Sequence, residues 1–91
     1  MAINIIVPTA LRQYAGGQSR VSVEGATVGE ALEALTAQYP DLGKQIFDGE
    51  GALRSFVNIY RNDDDIRYIE GLDTPVGDRD EVSIIPAIAG G

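Results

Sequence analysis

Asp63, Asp64 and Asp65 form the densest group of carboxylates in the sequence and are the first candidate for metal chemistry. A calcium-binding loop needs oxygen ligands at alternating positions, a central glycine and a glutamate further along the chain. Here the apolar Ile66 follows the three aspartates directly. We therefore interpret the group as a solvated turn between two strands and expect no bound metal.

The absence of histidine and cysteine removes the side chains that most often do chemistry near neutral pH. The serines have no imidazole to activate them, and neither a disulfide nor a thiolate metal site can form. The phosphate-binding pattern G-x-x-x-x-G-K-S/T does not occur either. We expect no catalytic side chain, no cofactor bound by this chain and no enzyme activity of its own.

The final glycine pair, Gly90-Gly91, is the remaining candidate for chemistry. A main-chain carboxylate at Gly91 has a pKa of about 3.5 and is ionised at neutral pH. Such a group can attack the α-phosphate of ATP and form an acyl adenylate, if a partner threads the chain end through a narrow channel to its nucleotide. Because residues without a Cβ let the backbone approach closely, the pair suits delivery into another protein's active site.

The length and charge of the chain limit the classes of protein it can belong to. Its 91 residues suit one domain, which we place at residues 1–86, with a flexible tail at 87–91. The 14 acidic and 7 basic residues give a net charge of −7, which argues against binding to nucleic acid or to an anionic membrane. This charge is compatible with a basic protein partner, or it simply keeps the protein in solution.

The first residues lack the basic and apolar segments of a signal peptide. No apolar run approaches the roughly 20 residues of a membrane span. We therefore expect a cytoplasmic protein.

The pattern of apolar residues predicts an α+β domain. Strands are expected at residues 2–7, 20–24, 56–61 and 81–85, with a short return strand at 66–69. One amphipathic helix begins after Thr27, which with Glu30 fits a capping box, and ends at Pro40. The first and last strands are apolar enough on both faces to pair in parallel at the sheet centre. This order predicts the β-grasp, or ubiquitin-like, arrangement: a mixed sheet of four to five strands with one main helix packed across one face.

Several stretches of the sequence resemble the ThiS/MoaD family of sulfur carriers. They are Phe56-Val57-Asn58-Ile59-Tyr60, Leu72-Asp73-Thr74-Pro75-Val76 and the run from Asp78 to Gly91, in which D-x-D-x-V leads to P-x-x-A-G-G. Ile6-Val7-Pro8-Thr9 and Gly16-Gly17-Gln18 add a likeness to the cysteine-biosynthesis branch of that family. The family usually has glycine between the two aspartates, where this chain has Arg79.

The resemblance implies a carrier rather than an enzyme. Gly91 would be adenylated by a ubiquitin-activating-type adenylyltransferase and sulfurtransferase that uses ATP, and would then carry sulfur as a C-terminal thiocarboxylate. The sulfur would pass to an acceptor such as a cysteine synthase that holds pyridoxal phosphate (PLP). The small subunit of molybdopterin synthase, which donates sulfur for molybdenum cofactor biosynthesis together with its large subunit, shares this ending and is the alternative.

The tail and one strand face are expected to meet the partners. The tail residues expected to be recognised in the partner's channel are Gly90, Ala89, Ile88 and Ala87. Ile88 is either an apolar anchor there or packs back on its own sheet. Phe56 and Tyr60 share one strand face, which is a docking patch if it lies opposite the helix and is otherwise covered by residues 40–55.

Two functions of other classes stay open. A ubiquitin-like protein modifier would join Gly91 to a target lysine through an isopeptide bond, after the same activation chemistry. A non-covalent β-grasp binding module would leave the glycine pair without a role.

Gly90→Val should block activation, because the added side chain would collide with the walls of a narrow channel. We expect ATP–pyrophosphate exchange by the activating enzyme to fall to background while the melting temperature stays unchanged. Adenylation at the wild-type rate would contradict the narrow-channel argument.

Overall fold

The computed structural model describes residues 2–86, which form a five-stranded mixed sheet with helices packed across it. The strands are β1 (Ala2–Ile6), β2 (Arg20–Glu24), β3 (Val57–Arg61), β4 (Asp64–Asp65) and β5 (Glu81–Pro86). The α-helices are α1 (Val28–Gln38) and α2 (Pro40–Ile46), and 3₁₀ helices occupy Thr9–Ala15, Ile66–Tyr68 and Gly71–Asp73. Within residues 2–86, none of these helices has the length and apolar character needed to cross a membrane.

β5 lies at the centre of the sheet, whose strand order is β2-β1-β5-β3-β4. β1 and β5 pair in parallel, with Ile5 opposite Val82. β3 runs antiparallel to β5, with Ile59 opposite Ile84, and β2 runs antiparallel to β1. These pairings confirm the predicted β-grasp arrangement, in which the first and last strands lie side by side at the sheet centre.

The core lies on one side of the sheet. Ile3 and Ile5 of β1 and Val82 and Ile84 of β5 are at most 2% exposed, and they alternate with residues that point to the other side. The buried residues of α1 recur at helical spacing and are Val28, Ala31, Leu32 and Leu35. Because each fully buried leucine or isoleucine contributes about 1.5–3 kcal/mol, this stripe holds α1 against the sheet.

The start of α1 shows the predicted capping, with one difference. Thr27 Oγ1 accepts a hydrogen bond from the Glu30 N–H at 3.1 Å, as predicted. The Glu30 carboxylate, however, accepts from the Ala26 N–H at 2.9 Å, one residue before the predicted Thr27. Both bonds pair N–H groups at the start of the helix and help to fix where it begins.

Pro40 ends α1, as predicted, but it also begins a second helix that was not expected. Proline stands in the first turn of α2, where the missing N–H would have no partner in the helix anyway. α2 buries Leu42 and Ile46, so the segment after the main helix docks on the core.

The prediction of a return strand at residues 66–69 is wrong. The strand opposite β3 is only β4, and Ile66–Tyr68 forms a 3₁₀ turn. The Asp65 carboxylate accepts from the Arg67 N–H at 2.9 Å, a local bond that competes with an extended conformation. Ile66 is 1% exposed, so its apolar character reflects burial in the turn rather than in a strand.

The start of β5 is joined to the end of β3 by hydrogen bonds around Asn62 and Asp80. The Asn62 N–H donates to the Glu81 carbonyl at 2.7 Å, and the Glu81 N–H donates to Asn62 Oδ1 at 3.0 Å. The Asp80 carboxylate accepts from Asn62 Nδ2 at 3.1 Å and from the Gly77 N–H at 2.9 Å. These two bonds favour the ionised carboxylate and hold the pKa of Asp80 below its ordinary value.

Arg79, beside this network, has a φ of 79°, in the left-handed region where the Cβ of an L-residue is crowded. Arg79→Gly should raise the free energy of unfolding by roughly 0.5–1 kcal/mol, because relief of about 1–2 kcal/mol of strain exceeds the added chain entropy of glycine. Urea unfolding measures the change. As a control, Ala52→Gly at an exposed residue without positive φ should lower the free energy of unfolding. A destabilised Arg79→Gly variant would contradict the strain argument.

Candidate functional site

The tail residues predicted to carry the chemistry lie outside the described residues. They are Ala87, Ile88, Ala89, Gly90 and Gly91. The structure describes the strand that precedes them: β5 continues to Pro86, which pairs with Val57 of β3. The described part of the candidate site is therefore the base of the tail.

We call the end of the sheet at Val7, Val57 and Pro86 the exit end. β5 runs toward the end of β1 and the start of β3: Ser83 pairs with Ile6, and Pro86, three residues further along, pairs with Val57. Val7 is fully buried, and its N–H donates to the Ser19 carbonyl at 2.8 Å. β5 is thus bordered by β1 as far as Ser83, and its last residue, Pro86, is held by β3.

Phe56 and Tyr60 lie on the sheet face away from the helices, which is the condition set for a docking patch. They alternate with Val57 and Ile59, which are buried on the helix side. Phe56 is 43% exposed, so residues 40–55 do not cover it. Their placement agrees with the docking hypothesis, and the docking role itself stays a prediction.

Two isoleucines extend this face and were not predicted to do so. Ile85 is 45% exposed, and Ile6 and Tyr60 lie on either side of Ser83. We name Ile6, Phe56, Tyr60 and Ile85 the open-face patch. The adjacent pair Ile84-Ile85 was the available signal, because consecutive residues of a strand point to opposite faces and the helices cover one of them.

The expected solvated turn at residues 63–65 is only partly right: Asp63 lies in the turn, whereas Asp64 and Asp65 form β4 and pair with Arg61 and Tyr60. The Asp65 side chain is directed into the following 3₁₀ turn. Its carboxylate accepts from the Arg67 guanidinium, with Nη2 2.8 Å from Oδ2, and from the Arg67 N–H. These hydrogen bonds hold the pKa of Asp65 below its ordinary value. Among residues 2–86, no group of three or more histidine, cysteine or acidic side chains is placed to hold a metal ion.

What the exit end offers is a fixed starting point for the tail. Five residues follow Pro86 in the sequence and span at most about 17 Å when extended. The exposed side chains beside this point, Phe56 and Ile85, are apolar and suit contact with a partner's surface.

Comparison with known proteins gives matches along nearly the whole chain. The ThiS family profile matches residues 5–91. The sulfur carrier protein CysO of Mycobacterium tuberculosis is 43% identical, and the alignment covers 100% of this chain and 100% of that protein. Small archaeal modifier protein 1 of Haloferax volcanii is 37% identical over 89% of this chain and 91% of that protein.

A solved structure shares the fold. A chain in the crystal structure of the BexX/CysO complex from Amycolatopsis orientalis matches with a TM-score of 0.89 at 37% identity. The match covers 99% of this chain and 100% of the matched chain.

Phe56→Ser and Ile85→Ser should each weaken binding to the activating enzyme by on the order of tenfold, because each removes an apolar side chain from the open-face patch. Titration calorimetry measures the affinity. The free energy of unfolding should change by less than about 1 kcal/mol, since these residues are 43% and 45% exposed.

The matched control is Val57→Ser, which lies next to Phe56 but points into the core and is 5% exposed. It should cost about 2–4 kcal/mol of stability, because it leaves a cavity and buries a hydroxyl. Unchanged affinity in both open-face variants would contradict the docking hypothesis.

Proposed function

Because this chain belongs to the ThiS family, we propose that it is a sulfur carrier that donates sulfide for cysteine biosynthesis from a thiocarboxylate at Gly91. The chain contributes a main-chain carboxylate, and partner enzymes supply the catalysis. The observation that carries this proposal is the similarity to CysO, a sulfur carrier protein by name, over the whole of both chains, which includes Gly90-Gly91.

Adenylation is the first step of the proposed sequence. The ionised carboxylate of Gly91 attacks the α-phosphate of ATP on a ubiquitin-activating-type adenylyltransferase, and pyrophosphate leaves. A hydrosulfide nucleophile supplied by a sulfurtransferase then adds to the acyl carbon, and AMP leaves with the bonding electrons. The product has sulfur in place of one carboxylate oxygen.

The geometry of the exit end supports this role. The tail starts from Pro86, which is paired with Val57, so the folded domain provides a rigid base. The missing Cβ at Gly90 and Gly91 lets the backbone pass through a narrow channel to the nucleotide. The open-face patch beside the tail gives the activating enzyme an apolar surface on which to dock.

The proposed acceptor is a cysteine synthase that holds PLP. The thiocarboxylate sulfur bonds to the β-carbon of an activated serine on that enzyme, and the activated oxygen substituent leaves with the electrons of the C–O bond. Hydrolysis of the resulting thioester releases cysteine and regenerates the carboxylate of Gly91. In this scheme ATP is bound by the activating enzyme and PLP by the acceptor. The carrier itself binds neither cofactor.

Protein modification is a second candidate, favoured by the 37% identity to small archaeal modifier protein 1. In that case a lysine amine of a target protein attacks the activated acyl carbon of Gly91 and forms an isopeptide bond. The two functions share adenylation and differ only in the nucleophile that follows it.

The intact mass of the chain purified from its native cells tests the carrier proposal. A fraction of the molecules should be heavier by the difference between one sulfur and one oxygen, and fragmentation should place the difference at Gly91. The matched control lacks only Gly91. It should show neither the mass shift nor ATP–pyrophosphate exchange, and its melting temperature should match the wild type because the residue lies beyond β5.

Two results would count against the carrier proposal. Full adenylation of the chain that lacks Gly91 would contradict the assignment of the reacting group. An unshifted mass, accompanied by higher-mass conjugates on immunoblots, would replace sulfur transfer with protein modification.

A further inference from the structure

Two arginines stand at the base of the tail, one next to each strand that borders β5. Arg12 Nε donates to the Val7 carbonyl, at the end of β1, at 3.0 Å. Arg54 Nε donates to the Lys44 carbonyl of α2 at 3.0 Å, and the Arg54 carbonyl accepts from the Val57 N–H at the start of β3 at 3.0 Å. Both arginines are half-buried, and each is held by a bond to a backbone carbonyl.

Within residues 2–86, neither Arg12 nor Arg54 forms an ion pair with a carboxylate. Three other cations do, in the pairs Arg20–Glu81, Lys44–Asp41 and Arg67–Asp65. Asp48, in the loop between α2 and Arg54, accepts instead from the N–H groups of Glu50 and Ala52 at 2.8 and 3.1 Å. The two arginines therefore present positive charge that the described part of the chain does not neutralise by an ion pair.

Much of the acidic surface lies at the other end of the sheet, where β1 and β5 begin. The acidic residues there include Glu24, Asp63, Asp64, Asp78, Asp80 and Glu81. Arg61 and Arg79 lie at the same end, so acidic residues outnumber basic ones there. A net acidic chain is compatible with a basic partner, but a partner that receives the tail meets the exit end and its two arginines.

We propose that Arg12 and Arg54 form a cationic rim around the tail, and that this rim docks against acidic side chains at the mouth of the activating enzyme's channel. The proposal rests on the proposed function, because insertion of the tail is what brings the rim against the partner. Docking removes water from the two guanidinium groups, and burying an unpaired charge is costly. Carboxylates at the mouth of the channel would pair with these guanidinium groups, since a planar guanidinium donates two parallel hydrogen bonds to a carboxylate.

The rim acts at the entrance of the channel and not at the nucleotide. With the tail extended, Gly91 lies up to about 17 Å beyond Pro86, at the site of adenylation. Arg12 and Arg54 stay at the base of the tail. They are expected to speed and orient the encounter, and their effect should weaken as salt screens the charges.

The double variant Arg12→Gln with Arg54→Gln tests the rim, because glutamine keeps an N–H donor for the same carbonyls and removes the charge. The assay is ATP–pyrophosphate exchange. It uses the adenylating enzyme from the same organism, chosen because it supports exchange with the wild-type chain. We expect kcat/KM for the carrier to fall by on the order of tenfold at low salt, mainly through KM. The loss should shrink at high salt.

The matched control is Arg79→Gln, which makes the same charge change at the opposite end of the sheet and should alter kcat/KM by less than about twofold. A second double variant, Arg12→Lys with Arg54→Lys, keeps both charges but not the two parallel hydrogen bonds, and should lose less kcat/KM than the glutamine pair at low salt. Melting temperatures are compared throughout. The single glutamine variants are assayed in parallel, so that the test does not depend on the double variant being folded.

Three outcomes would overturn the rim. The first is a double glutamine variant that keeps the wild-type kcat/KM at low salt. The second is an Arg79→Gln control that loses as much kcat/KM as the double glutamine variant. The third is a double lysine variant whose kcat/KM falls as far as that of the double glutamine variant. If no adenylating enzyme of the organism supports ATP–pyrophosphate exchange with the wild-type chain, that result would instead contradict the proposed function itself.

Discussion

The geometry of the exit end depends on the position of β5 between β1 and β3. A strand with hydrogen-bonded neighbours on both sides cannot slip by one residue without moving its buried side chains to the open face. For β5 such a slip would expose Val82 and Ile84, each worth about 1.5–3 kcal/mol when buried. The hydrogen bonds of Asn62 and Asp80 fix the same register from the start of the strand. This register keeps Pro86 opposite Val57.

This constraint separates the folded domain from the tail that we propose to react. The buried face of the sheet and the two α-helices supply stability, and no residue of that core needs to take part in chemistry. A chain without histidine or cysteine can still deliver a reactive group, because a main-chain carboxylate requires only access to a nucleotide and a nucleophile. In the proposed function the fold contributes a fixed position for Pro86, the residue from which the tail begins.

Features that follow directly from burial or from one local bond could be predicted from the sequence. The alternation of β2 and the capping by Thr27 are of this kind. The turn at Ile66 could not be predicted, because an apolar residue suits a strand or a buried turn, and the bond from Asp65 to the next backbone N–H favours the turn. For the site, Gly91 stands out by composition and by resemblance. Ile85 does not, because its exposure depends on which face the helices cover.

Charge shows most clearly why composition is an incomplete guide to partners. A net charge of −7 describes how copies of the chain repel one another and stay in solution. It does not describe the surface that a given partner touches, because that depends on which end of the sheet faces the partner. At the exit end the positions of Arg12 and Arg54 follow from the pairing of β5 with β1 and β3 and from two carbonyl acceptors. The strand order that places the end of β5 therefore also decides which charged residues lie near it.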